Sequence, residues 1–330
     1  SQIEEETITW LWEPYIPHNK LTLFEGDPGS GKTYLLMTIA AAVTRGWSLP
    51  DQQGKVAPGD AQLAGNVLYI TAEDGLADTI KKRGRETGAD QDRLFVPRKI
   101  TSFSLAQPEA LCRAIGRYRP RLLVLDPLQA FLGGQIDMHK ANEVRPLMTI
   151  LAQMAEDYQC AIVAIRHWTK SPGGRARYRG QGNIDFTAAA RSAISVGESP
   201  EDDRYKIMAQ NKSNNSRFGV SIVFQITDEG MQWCGTSTLT ADELSAAQPK
   251  RHHTQRQTAM QWLREYLHEG AQPAELILHE AEAVGIPERT LRRAKEHLRI
   301  LAAKDKGIWY WRLPTFQKWE RYPGYEDDDE

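Results

Sequence analysis

An octapeptide near one end of the chain reads Gly26-Asp27-Pro28-Gly29-Ser30-Gly31-Lys32-Thr33. It matches G-x-x-x-x-G-K-[ST], the pattern of a phosphate-binding loop (P-loop). The apolar run at residues 21–25 predicts a buried strand that enters the loop, and residues 34–44 predict an apolar helix that leaves it. Because strand, loop and helix in this order are the context that the motif requires, we expect a nucleoside triphosphate site here.

The chemistry of a phosphate site explains why these residue types occur together. Glycines let backbone N–H groups point at a phosphate with no Cβ atom in the way, and the following helix N-terminus adds partial positive charge. Lys32 would reach the β- and γ-phosphates, and the Thr33 hydroxyl would bind Mg²⁺. The residues expected to contact ATP are Gly26, Asp27, Pro28, Gly29, Ser30, Gly31, Lys32 and Thr33.

Composition limits the classes of protein to consider. With 330 residues, 41% hydrophobic and 25% charged, the chain is typical of a soluble protein of two domains. It has no apolar run near the ~20 residues that cross a bilayer. Three of its first six residues are acidic, and this stretch does not resemble a signal peptide. We therefore expect a cytoplasmic protein without membrane contact, in which the widely spaced Cys112, Cys160 and Cys234 are free thiols.

Acidic residues follow two further apolar runs. Residues 66–71 lead to Glu73 and Asp74, and residues 122–125 lead to Asp126. Ligands of parallel sheets bind at the carboxyl ends of the strands. We therefore expect Glu73 to activate the attacking water and Asp126 to hold Mg²⁺. Asp74 has an alternative role as the cap of a helix over residues 76–87.

A fourth apolar run, residues 161–165, is followed by Arg166 and His167. A polar group at a strand end can respond to the presence of a γ-phosphate, and His167 is the candidate sensor. A purely structural histidine is the alternative.

The segment 171–182 is rich in glycine and basic residues and contains no acidic residue. Such a loop suits the backbone of single-stranded DNA, although a solvated loop without a ligand is the alternative. Because the net charge of the chain is only −2, DNA contact must come from local basic patches of this kind. The candidate DNA-binding residues in and beside the segment are Lys170, Arg175, Arg177 and Arg179.

The remainder of the first domain is predicted as a helix over residues 185–195, with Arg191 inside it, followed by strands. The strands cover residues 205–209, 220–224 and 230–235, and Lys212 lies in a polar hairpin tip between the first two. Residues 1–235 are thus predicted to form one α/β domain with a mainly parallel sheet and an antiparallel edge.

The pattern changes after a polar linker over residues 236–253. Three amphipathic helices and a strand within residues 254–313 predict a small, mainly helical winged helix-turn-helix domain. Arg289, Arg292 and Arg293 on and beside its third helix are candidate DNA-binding residues, with protein contact as the alternative. Residues 314–330 form an acidic tail.

Several motifs occur together in a recognisable order. They are Gly26–Thr33, Thr71-Ala72-Glu73-Asp74, Leu122–Asp126, His167-x-x-Lys170, Arg179-Gly180 with Arg191, and Lys212-x-Asn214. Over about residues 10–235 this set resembles the RecA-fold ATPases of the RepA type, the hexameric replicative helicases of plasmids and phages. Residues 285–294 resemble the small helix-turn-helix domain that often follows such ATPases in phage and prophage proteins. The chain differs from the family pattern at Arg166, where a first histidine is common.

The resemblance implies roles for the remaining candidates. Glu73 would be the catalytic glutamate, and His167 the sensor. Arg191 would be an arginine finger that reaches a neighbour's nucleotide, with Lys212 as a second cation acting in trans. With Lys32 and Asp126 they would catalyse ATP hydrolysis in a hexameric ring, with single-stranded DNA in its channel and duplex DNA at the C-terminal domain. The second hypothesis is a DNA-binding regulator or helicase loader that uses ATP as a switch and does not unwind DNA.

Overall fold

The structure is a computed structural model, and it divides into two compact units, Ser1–Gln248 and Pro249–Glu330. The residues that it describes are 7–72, 76–97, 103–134, 136–168, 176, 180, 182, 184–227, 230–246, 255–267, 270–298, 300–305 and 307–313. In this part of the chain, no helix is both long and apolar enough to span a membrane.

The first unit is built from alternating strands and helices, as the sequence predicts. Its strands are β1 (Trp10–Trp12), β2 (Ile16–Pro17), β3 (Leu21–Gly26), β4 (Val67–Thr71), β5 (Leu94–Phe95), β6 (Leu122–Asp126), β7 (Ala161–His167), β8 (Ser192–Glu198), β9 (Tyr205–Ser213), β10 (Ser221–Thr227) and β11 (Gly230–Ser237). Its helices are α1 (Lys32–Arg45), α2 (Leu76–Glu86), α3 (Glu109–Tyr118), α4 (Ala141–Asp157), α5 (Asp185–Ala189) and α6 (Ala241–Ala246).

One large sheet organises this unit, in the order β11-β10-β9-β8-β3-β7-β6-β4-β5. The six strands from β8 to β5 are parallel, and β9, β10 and β11 add an antiparallel edge. The predicted α/β class with a mainly parallel sheet is therefore confirmed, and the architecture is that of a RecA-like P-loop core. Strand β7 lies between β3, which enters the P-loop, and β6, which ends at Asp126.

The sheet is covered on both faces, which explains why its central strands are mostly apolar. Alternate residues of each strand contribute to two separate cores. Leu35 and Ile39 of α1 belong to one core, and Met148 and Leu151 of α4 belong to the other. The carboxyl ends of β3, β4, β6 and β7 consequently form one accessible edge beside the P-loop, which is where the sequence placed the candidate site.

The predicted helix over residues 185–195 is wrong in its second half. Helix α5 ends at Ala189, and Ser192–Glu198 is the strand β8. Strand β8 pairs with β3 on one side and β9 on the other, and its residues from 192 to 197 are all buried. This pairing in the sheet outweighs the local helical preference of the alanine-rich segment. Arg191 therefore lies just before a strand and not inside a helix.

Two further segments differ from the sequence-based interpretation. Strand β9 continues to Ser213, so Gln210 and Asn211 are buried strand residues and not part of a hairpin tip. The Gln210 Nε2 donates a hydrogen bond to Ser192 Oγ and the Asn211 Nδ2 donates one to Ser195 Oγ of β8, which lowers the cost of burying these two amides. The segment expected to be a linker begins with the end of β11 and α6, whose Leu244 is 2% exposed and packs in a small core with Ile207.

In its described residues, the second unit combines three helices with a small antiparallel sheet. Its elements are α7 (Gln255–Tyr266), β12 (Gln272–Pro273), α8 (Ala274–Ala283), α9 (Glu288–His297), β13 (Leu301–Asp305) and β14 (Ile308–Arg312). The sheet has the order β12-β14-β13. Leu263, Ile277, Leu291 and Trp311 belong to its apolar core, which joins the helices to β14.

Candidate nucleotide-binding site

The P-loop joins β3 to α1, and two of its glycines explain its shape. Gly31 caps α1 in the left-handed conformation with φ 90°, which residues with a side chain adopt only at a cost. A Cβ atom on Gly31 would also lie 2.9 Å from side-chain atoms of Lys206 and Ile226. A Cβ atom on Gly26 would collide with the Val196 carbonyl oxygen. The backbone can therefore turn at the start of α1, where N–H groups stabilise an anion.

Lys32 lies inside the loop and is 5% exposed. Its ammonium donates hydrogen bonds to the carbonyl oxygens of Gly26 (2.9 Å) and Asp27 (2.7 Å) and to Ser30 Oγ (3.2 Å). The positive charge is thus already held within the turn that is predicted to surround the phosphates.

Asp126 lies at the carboxyl end of β6, where the sequence predicted it, and is 3% exposed. Its Oδ2 accepts hydrogen bonds from Thr33 Oγ1 at 3.2 Å and from Tyr69 OH at 2.8 Å. Two oxygen donors of the kind that Mg²⁺ prefers therefore lie side by side, so the residues present fit the ion. The orienting contact from the buried Tyr69 was missed, because a tyrosine inside an apolar strand carries no sequence signal of its partner.

His167 is the last residue of β7 and lies opposite Gly26 in the parallel register. The next residue, Trp168, donates its backbone N–H to the Gly26 carbonyl oxygen at 3.2 Å. The candidate sensor is therefore adjacent to the first residue of the P-loop, between the strands that end at Gly26 and Asp126.

A buried ion pair directly precedes these residues. Glu25 Oε1 accepts a hydrogen bond from Arg166 Nε at 2.6 Å and pairs with the Nη2 of the same guanidinium. The side chains of Glu25 and Arg166 are 0% and 1% exposed. The sequence placed Arg166 after the strand, whereas it lies within β7. Two opposite charges inside neighbouring apolar runs are the signal that could have revealed the pair.

Lys206 is a further residue that the sequence did not single out. It lies on β9, its Cδ approaches the P-loop at Gly31, and its ammonium is 3.0 Å from Glu198 Oε1 at the end of β8. It therefore brings a basic side chain to the loop from the antiparallel part of the sheet.

Several predicted site residues lie outside the described residues. Glu73 is one of them, but Thr71 and Ala72, which precede it, are described. Thr71 pairs with Asp126 across β4 and β6, and Ala72 donates its N–H to the Asp126 carbonyl oxygen at 3.0 Å. The chain thus approaches Glu73 from the edge that holds Asp126. Lys170, Arg175, Arg177 and Arg179 also lie outside the described residues.

Comparison with known proteins agrees with this geometry. Residues 2–173 match the family AAA_25, described as an AAA domain. This is more than half of the 330 residues. The chain belongs to the AAA domain family.

Proteins named DNA repair protein RadA are also similar to this chain. The protein of Streptococcus pneumoniae is 27% identical over 152 residues, which are 46% of this chain and 30% of the relative. The protein of Mycolicibacterium smegmatis is 26% identical over 224 residues, which are 64% of this chain and 40% of the relative. The chain thus spans less than half the length of either relative. Together with the sheet, these matches indicate a RecA-like P-loop domain.

Arg191 and Lys212 lie beyond the AAA match and away from the P-loop of their own chain. Arg191 is exposed, and its N–H bonds to the carbonyl oxygen of Leu21, at the amino end of β3. The P-loop leaves the other end of this strand, five residues on, or about 16 Å at ~3.3 Å per residue. Arg191 is therefore at the edge opposite the chain's own P-loop.

Lys212 lies near Arg191, but its charge is already bound. Its ammonium donates to the carbonyl oxygens of Thr187 (2.8 Å) and Ala188 (2.7 Å) in the last turn of α5. A cation is favourable at a helix C-terminus. Burial, followed by repulsion from Arg191, lowers the pKa of Lys212. The structure thus shows Lys212 as a cap for α5.

The candidate basic residues of the second unit are all on α9 and exposed. Arg292 forms an ion pair with Glu288 one turn earlier, with Nη2 2.6 Å from Oε1. Lys295 lies with its ammonium 4.3 Å from the centre of the Trp311 ring. Arg289 and Arg293 lie exposed on the same helix as Arg292, whose charge is already paired with Glu288.

Proposed function

We propose that this protein is an ATP-hydrolysing, DNA-binding motor, a DNA helicase that assembles as a hexameric ring. The observation that carries the proposal is the arrangement of Lys32 inside the P-loop with Thr33 and Asp126 hydrogen-bonded at 3.2 Å beside it. This arrangement supports binding of ATP with Mg²⁺. The AAA family membership supports the same nucleotide.

The residues at this edge would have separate roles in ATP hydrolysis. Lys32 and the loop N–H groups would bind the phosphates, and Thr33 and Asp126 would hold Mg²⁺, which neutralises phosphate charge when bound. Glu73 would orient and deprotonate water, since the chain reaches it from the Asp126 edge. His167, opposite Gly26, would respond to the γ-phosphate.

The position of Arg191 supports action between subunits. Because it lies at the edge opposite its own P-loop, it can serve a nucleotide only in another copy of the chain. A contact between two different edges repeats from copy to copy, and it forms a ring where the rotation between copies closes. A cation supplied this way stabilises charge on the transferred phosphoryl group. Lys212 would join it only after leaving the α5 carbonyl oxygens.

The relatives named for DNA repair support DNA as the partner. We assign residues 254–313 to a winged helix-turn-helix that binds duplex DNA through Arg289, Arg292 and Arg293. We assign Lys170, Arg175, Arg177 and Arg179 to single-stranded DNA in the ring channel.

Steady-state ATP hydrolysis with and without single-stranded DNA, at low and moderate salt, tests the proposal. We expect strong stimulation by DNA that weakens with salt, because phosphate contacts release counterions. Lys32→Ala is the control for contaminating ATPase. Turnover that is indifferent to DNA would refute the motor.

Binding of labelled duplex DNA tests the second unit separately. The double variant Arg289→Ala/Arg293→Ala should weaken binding and flatten the plot of log affinity against log salt by about 2, one for each lost phosphate contact. Glu288→Gln is a matched control, because it frees Arg292 from its partner and should strengthen binding. An unchanged slope in the double variant would favour a protein partner for this unit.

The bound state of Lys212 favours one alternative, a switch that binds DNA and hydrolyses ATP without unwinding. If Lys212 stays on α5, one fewer cation completes a neighbour's site. Strand separation of a forked duplex distinguishes the two. ATP-dependent separation supports the helicase, and DNA-stimulated hydrolysis without separation supports the switch.

A further inference from the structure

Arg166 contacts residues of other elements besides Glu25. Its Nη2 donates a hydrogen bond to Thr187 Oγ1 of α5 at 2.7 Å, and its guanidinium carbon lies 5.1 Å from the centre of the Phe186 ring. The other oxygen of Glu25 accepts a hydrogen bond from Asn211 Nδ2 at 3.3 Å. One buried guanidinium therefore joins β3, β7 and α5, and the carboxylate extends the network to β9.

The same guanidinium also lies next to Gly180, which belongs to the basic loop of residues 169–183. A Cβ atom on Gly180 would overlap the Arg166 guanidinium, so Gly180 lies directly on this side chain. Gly180 also pairs with Trp168, two residues after Arg166, as an antiparallel bridge. Trp168, which precedes the loop of residues 169–183, thus pairs with Gly180 of the loop beside Arg166.

The connected elements are those that the proposed function requires to act together. Glu25 immediately precedes Gly26 of the P-loop, and Arg166 immediately precedes His167. Helix α5 leads from the basic loop to Arg191, and its last turn is capped by Lys212. Arg166 contacts Glu25 before the P-loop, Thr187 of α5 and Gly180 of the basic loop.

We propose that Arg166 is a positioning residue that couples the nucleotide edge to the DNA-binding loop and to the α5–Arg191 segment. The inference rests on the proposed function, since it explains how DNA in the loop changes turnover at the P-loop. A guanidinium is planar and donates in fixed directions. A shift at the ends of β3 and β7 therefore moves Thr187 and Gly180 with it, as coupling through packed, hydrogen-bonded elements requires.

Thr187→Val tests the link to α5 with little change in shape. Valine keeps the branched side chain but removes the hydroxyl that accepts from Arg166. The Thr187 hydroxyl contacts Arg166, while the contact of Thr187 with Lys212 is through its backbone carbonyl oxygen, which the substitution keeps. Thr187→Ser restores the hydroxyl as the matched control. The measurements are ATP turnover with and without poly(dT), the KM for ATP, and direct binding of labelled poly(dT). Thermal unfolding reports the folded state of each variant.

We expect Thr187→Val to keep basal turnover, the KM for ATP and poly(dT) affinity within about twofold of wild type. Its stimulation by poly(dT) should fall by about fivefold or more, and Thr187→Ser should recover it. If Thr187→Val does not fold, Arg166→Lys takes its place, since lysine keeps the charge beside Glu25 and loses the forked reach to Thr187.

Two outcomes would overturn the inference. Stimulation equal to wild type would show that α5 is not coupled through this contact, and an equal fall in basal and stimulated turnover would show a purely structural role. Failure of the proposed function would give a different result. Wild-type turnover would then itself not respond to poly(dT), and Arg166 would have no stimulation to transmit.

Discussion

Replacing Glu25 by glutamine tests whether the buried ion pair stabilises the first unit. Glutamine is close to glutamate in shape, so the main change is that the Arg166 guanidinium, 1% exposed, loses its counter-charge. Removing one partner of a buried pair costs about 3–5 kcal/mol. With a urea dependence of roughly 2 kcal/mol per molar, the unfolding midpoint should fall by about 2 M.

The surface offers a matched comparison for the same substitution. Glu156 forms an ion pair with Lys20 at 2.7 Å, but their side chains are 45% and 24% exposed. Glu156→Gln should therefore cost less than about 1 kcal/mol. The double variant Glu25→Gln/Arg166→Met removes both buried charges and should recover most of the stability that Glu25→Gln loses.

Urea unfolding of the full chain, followed by circular dichroism and tryptophan fluorescence, measures all three variants. Only the transition of the first unit should move, because Glu25 belongs to that unit. Equal midpoints for Glu25→Gln and Glu156→Gln would refute the reasoning, since burial would then make no difference to the pair.

Three further predictions concern activity and pH. Glu73→Gln should retain ATP binding and lose about 10²-fold or more in turnover; turnover near wild type would move the role to another residue, such as Asp74. Arg191→Ala should lose about 10³-fold in turnover, and mixing it with inactive Lys32→Ala should restore part of the activity, because mixed interfaces pair an intact P-loop with an intact arginine. The absence of recovery would contradict action between subunits. Burial, followed by repulsion from Arg121, lowers the pKa of His18 from 6.5 to about 4. As the pH falls, the unfolded chain therefore binds this proton before the folded chain does. The contribution of His18 to stability should be complete above pH 6.5 and should be lost as the pH drops toward 4. His18→Gln should flatten that part of a stability profile measured by urea unfolding, and an unchanged profile would assign the pH dependence to other groups.

Much of the nucleotide edge was predictable from sequence because its signals are local. The strand before the P-loop, the helix after it and the run ending at Asp126 each lie within a few residues of the expected position. A parallel sheet then brings the carboxyl ends of its strands to one edge, whatever the order of the strands in the sheet. Thr33 and Asp126, 93 positions apart, could be assigned to one site on that basis.

The remaining features depend on contacts between distant segments. The sequence alone determined the α/β class, the P-loop and the candidate residues at the carboxyl ends of the strands, since periodicity and motif spacing are properties of short segments. Only the tertiary structure decided that residues 192–198 form a strand, that Lys212 caps α5, and that Glu25 and Arg166 pair in the interior. The physical reason is that the partners of a strand, a helix end or a buried charge come from elsewhere in the chain. Their interaction outweighs the local preference of the residues that they meet.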